Sequence, residues 1–272
     1  MIPTLPLIAN VVAGTIAAYT DIKTGYIYDW ITYPLIGVGI VHSLLTQQWL
    51  GFFLGGIIYG MGWLAYRSGK IGGGDIKLLA GMALVQPTYE GMVFPLAVLL
   101  IGALSACIGF GIYYTGAFLL SRKKMEWNTP RKKIAAILAI GLVLVTGYTH
   151  ATLPEAGIMF ILLELALGLG LAFYSFEEEI KTHSFLRRIA LDELEDDEVL
   201  AREHFTQEEI KKWGEKIPGL VSREDIPHLK QKGFHTLPVY RNLPKFAPFL
   251  LVGIIITYLF PEWVSQIVPS FL

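Results

Sequence analysis

The feature that most constrains the fold is a series of apolar blocks that runs through most of the chain. Most of the blocks approach the roughly 20 residues that a helix needs to cross a bilayer. The eight blocks are residues 4–20, 31–47, 49–66, 76–88, 92–120, 134–150, 156–176 and 246–268. Block 76–88 is short, so it crosses only if its flanks lie at membrane depth, or if it is tilted or re-entrant. The pattern predicts an all-α polytopic membrane protein with about eight transmembrane helices, and six and seven are alternatives.

Charged residues are few and unevenly placed. They make up 17% of the chain, against about 25% in an ordinary soluble domain. Residues 177–245 carry fifteen of the 23 acidic and twelve of the 22 basic residues. We therefore expect a membrane-embedded domain at 1–176, a small soluble insertion at 177–245 and a last transmembrane helix at 246–272. Within the insertion, 191–216 predicts one or two amphipathic helices, and the proline-punctuated remainder predicts a small mixed unit.

Lysine and arginine predict the orientation of the chain. When the blocks are assigned to alternating crossings with the N-terminus outside, all 22 basic residues fall on the inside. The inside stretches are 21–30, 67–77, 121–133 and 177–245. The positive-inside rule then places both termini outside and the insertion in the cytoplasm of a multi-pass cell-membrane protein. We expect loop 121–133, "SRKKMEWNTPRKK", to contact anionic lipid headgroups.

Two aspartates are predicted to lie at the same face of the membrane. Asp21 ends the first apolar block, and the run Gly72, Gly73, Gly74 leads directly into Asp75. Because two crossings, blocks 31–47 and 49–66, separate them, topology puts both carboxylates at the same face and depth, where burying an acid costs free energy. Two close carboxylates share one proton, which suits an aspartyl protease dyad. In the alternative interpretation Asp75 is a helix N-cap and Asp21 closes the first helix at the interface.

The residues around both aspartates resemble a known family. "GGGDIKLLAG" matches the G-x-G-D-x-K pattern of type IV prepilin peptidases through Gly72, Gly74, Asp75 and Lys77. "TDIKTGYIYDWIT" is similar to the family's other element, with Asp21 in the catalytic place. The order and length of the segments look most like the archaeal preflagellin and prepilin peptidases.

The resemblance implies a function. It implies a GxGD membrane aspartyl endopeptidase that uses no metal and no other cofactor. Such an enzyme would remove a short basic leader from pilin-like or archaellin precursors at the cytoplasmic face. Bacterial relatives also methylate the new N-terminus and carry an insertion with paired cysteines. This chain has one cysteine, Cys107, and no such insertion, so we expect proteolysis without N-methylation.

The remaining candidate residues have competing interpretations. Asp29 is either the N-cap of the second helix or a contact for a basic leader. Lys77 either tunes the dyad or binds lipid phosphate. Glu164, inside the seventh block, is interpreted as a hydrogen-bonded structural acid. The acidic run 192–198 is interpreted as a solvated face, with attraction of a basic leader as the alternative. The histidines lack the H-E-x-x-H pattern of zinc hydrolases, and no nucleic-acid signature is present.

Three rival functions follow from the same features. A presenilin-like intramembrane protease would cut within a span, but that family pairs Tyr-Asp with Gly-x-Gly-Asp, and here Thr20 precedes Asp21. A proton-coupled transporter would use Asp21, Asp75 and Glu164 as a relay, but it usually has repeat symmetry between its halves. A membrane scaffold for filament assembly would need no catalytic groups.

Overall fold

The computed structural model describes residues 4–67, 71–121, 129–152, 158–214 and 217–268. A helix lies in each of the eight apolar blocks. These helices are α1 (Thr4–Thr24), α2 (Asp29–Thr46), α3 (Trp49–Arg67), α4 (Gly73–Val85), α5 (Phe94–Phe110), which continues through a π-helical turn (Gly111–Thr115) into α6 (Gly116–Leu120), then α7 (Pro130–Thr152), α8 (Ile158–Ser175) and, after the insertion, α12 (Ala247–Leu259). The protein is therefore a largely helical membrane protein.

The prediction of eight spans is not confirmed. Four helices are long and apolar enough to cross a membrane: Leu5–Thr24, Trp49–Arg67, Phe94–Leu120 and Pro130–Thr152. A fifth candidate is the pair Phe160–Ser175 and Glu177–Phe185, which is bent by 64°. Helix α4 has 13 residues, which reach only about 20 Å at 1.5 Å per residue. A tight hairpin of β1 (Thr88–Tyr89) and β2 (Met92–Val93) follows it.

Helix α4 is the centre of the membrane part. Nearly every residue from Ile76 to Val85 is buried, as expected of a helix that is apolar all round. Helices α2 and α3 pack on it closely because small residues face it. A Cβ on Gly39 would lie 2.6 Å from the Leu84 Cβ, and a Cβ on Gly55 would lie 3.3 Å from the Ala80 carbonyl oxygen. Small residues at such contacts are typical of helix packing in membranes.

The insertion contains a β-sheet, which corrects the all-α class for this segment and agrees with the small mixed unit expected in its second part. Four strands pair antiparallel in the order β3-β6-β4-β5, with Leu186 opposite Tyr240 and Val199 opposite Tyr240 on the other side. The strands are β3 (Leu186–Ala190), β4 (Glu198–Leu200), β5 (Leu220–Val221) and β6 (Thr236–Tyr240). The remaining described helices are the short α9 (Glu177–Ile180), α10 (Gln207–Trp213), α11 (Ile226–Gln231) and α13 (Pro261–Val264).

The amphipathic segment 191–216 is only partly helical. Of its described residues, only α10 is α-helical, because the acidic run before it forms a 3-10 turn at Leu191–Glu193 and strand β4. A capping box of Thr206 and Glu209 starts α10, as Thr at the N-cap with Glu three residues later predicts. Trp213, at the end of α10, packs edge-on against Phe205 and Phe234 in the insertion's own core.

The start of the insertion is tied to α7. Arg131 donates to Glu177 at 2.5 Å, and Lys132 pairs with Glu179. Lys132 is buried. Two cations of loop 121–133 are therefore neutralised by protein carboxylates rather than held for lipid headgroups. Residues 122–128 of the loop lie outside the described residues.

Candidate active site

Asp21 is held by the beginning of α12. It lies in the last turn of α1 and is 7% exposed. Its Oδ2 accepts a hydrogen bond of 3.0 Å from the backbone N–H of Ala247, the first residue of α12. Lys245 acts on the same carboxylate electrostatically, and its ammonium group donates to the Ile22 carbonyl oxygen. Burial opposes a negative charge on Asp21, and the amide donors and the cation partly offset that cost.

Asp75 is the third residue of α4, not its N-cap. Gly72 is the N-cap residue, so the capping interpretation of Asp75 is wrong. The Asp75 side chain folds back toward the helix start, because a Cβ added to Gly72 would lie 2.7 Å from Oδ2. Oδ1 is buried and has no hydrogen-bond partner among the described residues. A buried carboxylate oxygen without a partner is costly in a structural role and is typical of a group that awaits a reactant.

The two aspartates come together. Helix α1 packs along α4, and the Asp21 carboxylate is close enough to Asp75 to act on it electrostatically. Two carboxyl groups so placed do not both ionise readily, so they share a proton. A pair in that state can take a proton from water and donate one to a carbonyl oxygen. The arrangement can therefore hydrolyse an amide bond.

The three glycines before Asp75 provide room rather than an unusual backbone. None of them has a positive φ. A Cβ on Gly74 would lie 2.6 Å from the Ile27 Cβ and 2.9 Å from the Ile27 carbonyl oxygen, and one on Gly73 would lie 3.3 Å from the Tyr66 ring. Side chains at these positions would push α4 away from its neighbours. The element that approaches Gly74 is the connection between α1 and α2.

Asp29 and Lys77 bind each other. The Lys77 ammonium lies 2.5 Å from Asp29 Oδ1 and 5.0 Å from the centre of the Tyr33 ring. Asp29 is the first residue of α2 and Tyr28 is the N-cap, so the N-cap interpretation of Asp29 is wrong. The Asp29–Lys77 ion pair connects the start of α2 to the start of α4. No local sequence pattern links these two residues, so the pair was not predicted.

The other acids and histidines add no second reactive centre. Glu164 of α8 lies 3.1 Å from the His150 Nε2 of α7, as a hydrogen-bonded structural acid should. In the ranges that the structure describes, no three His, Cys, Asp or Glu side chains are grouped so as to hold a metal ion.

The insertion reaches the site through two tyrosines that the sequence did not single out. The Tyr26 hydroxyl donates to Glu195 at 3.0 Å, and Tyr66 is hydrogen-bonded to Asp197. Burial and the bond to Glu195 raise the pKa of Tyr26 to about 12, so its hydroxyl remains a donor at neutral pH. Tyr26 precedes Ile27, and the Tyr66 ring covers Gly73. The acidic run thus lies beside the aspartates, a contact that no local pattern could reveal.

Comparison with known proteins finds a family match for the part of the chain that contains the two aspartates. Residues 8–109 match the model of the type IV leader peptidase family. This range includes both aspartates, the glycine run, most of α1 and all of α2 to α4. The match confirms the resemblance to prepilin peptidases over this part of the chain.

A curated relative supports the same assignment. The prepilin peptidase EppA of Methanothermobacter thermautotrophicus is 23% identical over 178 residues, which cover 56% of this chain and 46% of that protein. The chain thus spans less than half the length of this relative. No solved structure matches the chain.

Proposed function

We propose that the protein is a membrane aspartyl endopeptidase in which Asp21 and Asp75 are the catalytic pair. It removes a short basic leader from type IV pilin-like or archaellin precursors and does not methylate the product. One observation carries the proposal: the carboxyl groups of Asp21 and Asp75 come from separate helices and lie within electrostatic range of each other, and the buried Oδ1 of Asp75 has no hydrogen-bond partner among the described residues. The family match and the name of the archaeal relative support the substrate class.

The pair performs the reaction by moving protons. The ionised carboxylate takes a proton from a water molecule, whose oxygen then bonds to the scissile carbonyl carbon. The protonated carboxyl group donates its proton to the carbonyl oxygen, which gives a neutral tetrahedral diol. The diol returns its hydroxyl proton as the C–N bond breaks, and the leaving nitrogen is protonated by the pair. The atoms balance as one water added per peptide bond cleaved, and the pair returns to its single shared proton.

The surroundings of the pair suit a precursor with a basic head and an apolar stem. Glu195 and Asp197 bring carboxylates beside the site through Tyr26 and Tyr66. Other acids of the run are already paired, since Asp192 binds Lys230 and Glu198 binds Arg241; this supports the solvated-face interpretation for those members. Only a subset is therefore placed to attract a leader.

An apolar groove adjoins the other side of the site. It has a volume of about 400 Å³ and lies between α5 and the segment that enters α12. Its walls include the rings of Phe110, Tyr113 and Phe249, and Lys245 lies at its edge. The groove also contains the π-helical turn of α5, a feature that frequently marks functional positions. We place the first apolar residues of the stem here.

Cleavage is proposed to occur at the cytoplasmic face. The basis is that all Lys and Arg fall on one side when the eight apolar blocks are assigned to alternating crossings. A cysteine at Thr88, in the β1–β2 hairpin, should react with an impermeant maleimide in intact cells. A cysteine at Gln207, in α10, should react only after permeabilisation. The reverse pattern would overturn the orientation and place the pair on the outer face.

The direct test is cleavage of a pilin-like precursor by the purified protein in liposomes. Wild type should release the leader, and Asp21→Asn and Asp75→Asn should not. Asp192→Asn is the matched control, because it makes the same change at an acid whose side chain is 80% exposed and is paired with Lys230 on the surface of the insertion. Mass spectrometry of the product should show no added methyl group. Cleavage by either dyad variant at near the wild-type rate would refute the proposal.

No observation favours the transporter or the presenilin-like alternative. Glu164 is paired with His150 on α7, so it is not joined to the aspartates in a proton relay. If the purified protein leaves the precursor intact and instead carries protons across the liposome membrane, the transporter interpretation would replace the proposed function.

A further inference from the structure

The two carboxyl groups of the pair have unlike surroundings, although both belong to the same site. Asp21 accepts a backbone hydrogen bond from Ala247, and the Phe246 amide also donates toward it. These amides form the start of a helix of 13 residues, whose N-terminal end carries partial positive charge. Lys245 adds a full positive charge within electrostatic range.

Asp75 has the opposite surroundings. Its Oδ1 is buried without a hydrogen-bond partner among the described residues. The nearest cation along α4, Lys77, is bound to Asp29. The charged group that acts on Asp75 is the Asp21 carboxylate, and a like charge opposes ionisation. The neighbouring residues Ile76, Leu78 and Leu79 are buried apolar side chains.

We propose that the shared proton of the resting pair resides on Asp75, that Asp21 is the ionised base, and that Lys245 and the first amides of α12 enforce this assignment. The inference rests on the proposed function for its catalytic meaning. Asp21 therefore takes the proton from water, and Asp75 donates to the scissile carbonyl oxygen. Burial opposes a negative charge on both carboxyl groups. At Asp21 three groups offset this cost, the Ala247 and Phe246 amides and Lys245. At Asp75 the charge of Asp21 adds to the cost, and Oδ1 has no hydrogen-bond partner among the described residues.

Lys245 is a positioning residue in this scheme. It precedes α12, and its ammonium group binds the Ile22 carbonyl oxygen, one residue after Asp21. It therefore joins the end of the insertion to the end of α1 and keeps positive charge beside the base. Because the insertion lies between α8 and α12, its folding sets where Lys245 and the α12 amides stand. The insertion thereby contributes to the chemistry through Lys245 and the α12 amides, in addition to the acids that it brings beside the site.

The assignment can be tested without any cleavage. Infrared titration of the full-length protein in liposomes would follow the protonated-carboxyl band of each single variant. The spectrum of the double variant Asp21→Asn/Asp75→Asn is subtracted to remove every other carboxyl group. Asp75, observed in Asp21→Asn, should take up its proton at a higher pH than Asp21, observed in Asp75→Asn. Each remaining acid then faces a neutral partner, so the order reports its own surroundings. The reverse order, or coincident titrations, would overturn the assignment.

The role of Lys245 is tested by the pH dependence of kcat/KM. Lys245→Met should move the acidic limb to higher pH by about half a unit or more, because loss of a nearby cation makes the base harder to ionise. Lys245→Arg should restore the wild-type limb. Equal melting temperatures would show that neither variant acts through folding. If wild type cleaves and the acidic limb of Lys245→Met does not move, the positioning role is wrong while the proposed function stands. If wild type does not cleave, the proposed function fails, and the infrared order still decides the assignment.

Discussion

The two ends of α4 are built from the same three helices and use buried polar groups in opposite ways. At the C-terminal end, the Tyr258 hydroxyl of α12 donates to Gln86 Oε1 at 2.5 Å and accepts from Asn10 Nδ2 of α1 at 3.0 Å. All three side chains are buried. At the N-terminal end, the same helices bring together Asp21, Asp75 and the Ala247 amide.

This comparison distinguishes buried polar groups that stabilise the fold from buried polar groups that are placed to react. The C-terminal cluster is neutral, and its donors are used to connect the three helices, as polar residues do in membrane helix packing. Asn10 Oδ1 lacks a partner among the described residues, but a neutral amide costs far less to bury than a carboxylate. The N-terminal cluster joins two acids and leaves a carboxylate oxygen unused. Stability alone would not select that arrangement. Substitutions at the N-terminal end of α4 should therefore affect cleavage most, and substitutions at the C-terminal end should affect stability most.

The largest expected effect is at Asp75. Asp75→Asn should reduce cleavage by about 10⁴-fold, as loss of an essential catalytic group commonly does. The melting temperature in detergent should stay the same or rise, because the change removes a buried carboxyl group that has an unpartnered oxygen. Cleavage rate and thermal unfolding measured on the same preparation check both parts. A large fall in melting temperature would mean that Asp75 supports the fold and would remove the contrast between the two ends.

Crowding at Gly74 should give the next largest effect. Gly74→Ala places a methyl group 2.6 Å from the Ile27 Cβ, so α4 and the α1–α2 connection must separate. We expect cleavage to fall more than tenfold, while overpacking costs about 1–3 kcal/mol. Gly74→Val should be worse in both respects. Initial rates and melting temperatures measured side by side check the relation between the two losses.

The matched control for Gly74 is Gly56→Ala on α3. A Cβ at Gly56 meets nothing within 4 Å, so that variant should keep wild-type rate and stability. If the rate of the Gly74 variants falls only in proportion to the folded fraction, Gly74 matters for packing alone and does not set the distance between the aspartates.

The sequence was sufficient to predict the features that depend on short stretches of chain, such as the positions of the apolar helices. The length of the apolar blocks predicted a helix in each of them. Asp21 and Asp75 each follow an apolar block, and because two crossings separate them, they were predicted to lie at the same membrane face. The sequence did not predict partners that come from distant parts of the chain. Ala247 lies 226 residues from Asp21 and Glu195 lies 169 residues from Tyr26, so no periodicity connects them.

Misassignments arose where local propensity competed with tertiary contacts. The acidic segment before α10 has helical periodicity, yet Glu198–Leu200 pairs as a strand with β5 and β6, because sheet pairing buries Leu200 against the insertion's core. Aspartate is a common N-cap residue, but Asp75 and Asp29 both lie after the N-cap, as the third residue of α4 and the first residue of α2. In the fold, Asp29 instead binds Lys77, and Asp75 lies within electrostatic range of Asp21.

A moderate effect is expected at the C-terminal end of α4. Tyr258→Phe removes the hydroxyl that serves both Gln86 and Asn10, and leaves two buried polar groups without that partner. Such a loss costs about 1–3 kcal/mol, so the melting temperature should fall while the folded fraction cleaves at the wild-type rate. Tyr148→Phe, at a tyrosine that is 72% exposed, is the control and should change neither. A specific loss of rate in Tyr258→Phe would show that the two ends of α4 are coupled.

The smallest effect is expected at the pair that lies closest in sequence to the catalytic aspartates. Asp29 is 53% exposed at its side chain and Lys77 is 22% exposed, so water screens the attraction and the pair contributes about 0–1 kcal/mol. Asp29→Asn, Lys77→Met and the double variant should each cleave within about threefold of wild type. A double-mutant cycle on melting temperature should give a small coupling, because the Tyr33 ring still packs on residue 77. If Asp29→Asn is instead as inactive as Asp75→Asn, then Asp29 belongs to the catalytic group and the pairing with Lys77 is a resting state that substrate displaces. That outcome would move the reactive centre toward the start of α2. The N-terminal end of α4 would then differ from the C-terminal end because Lys77 neutralises an acid there, and not because two acids meet.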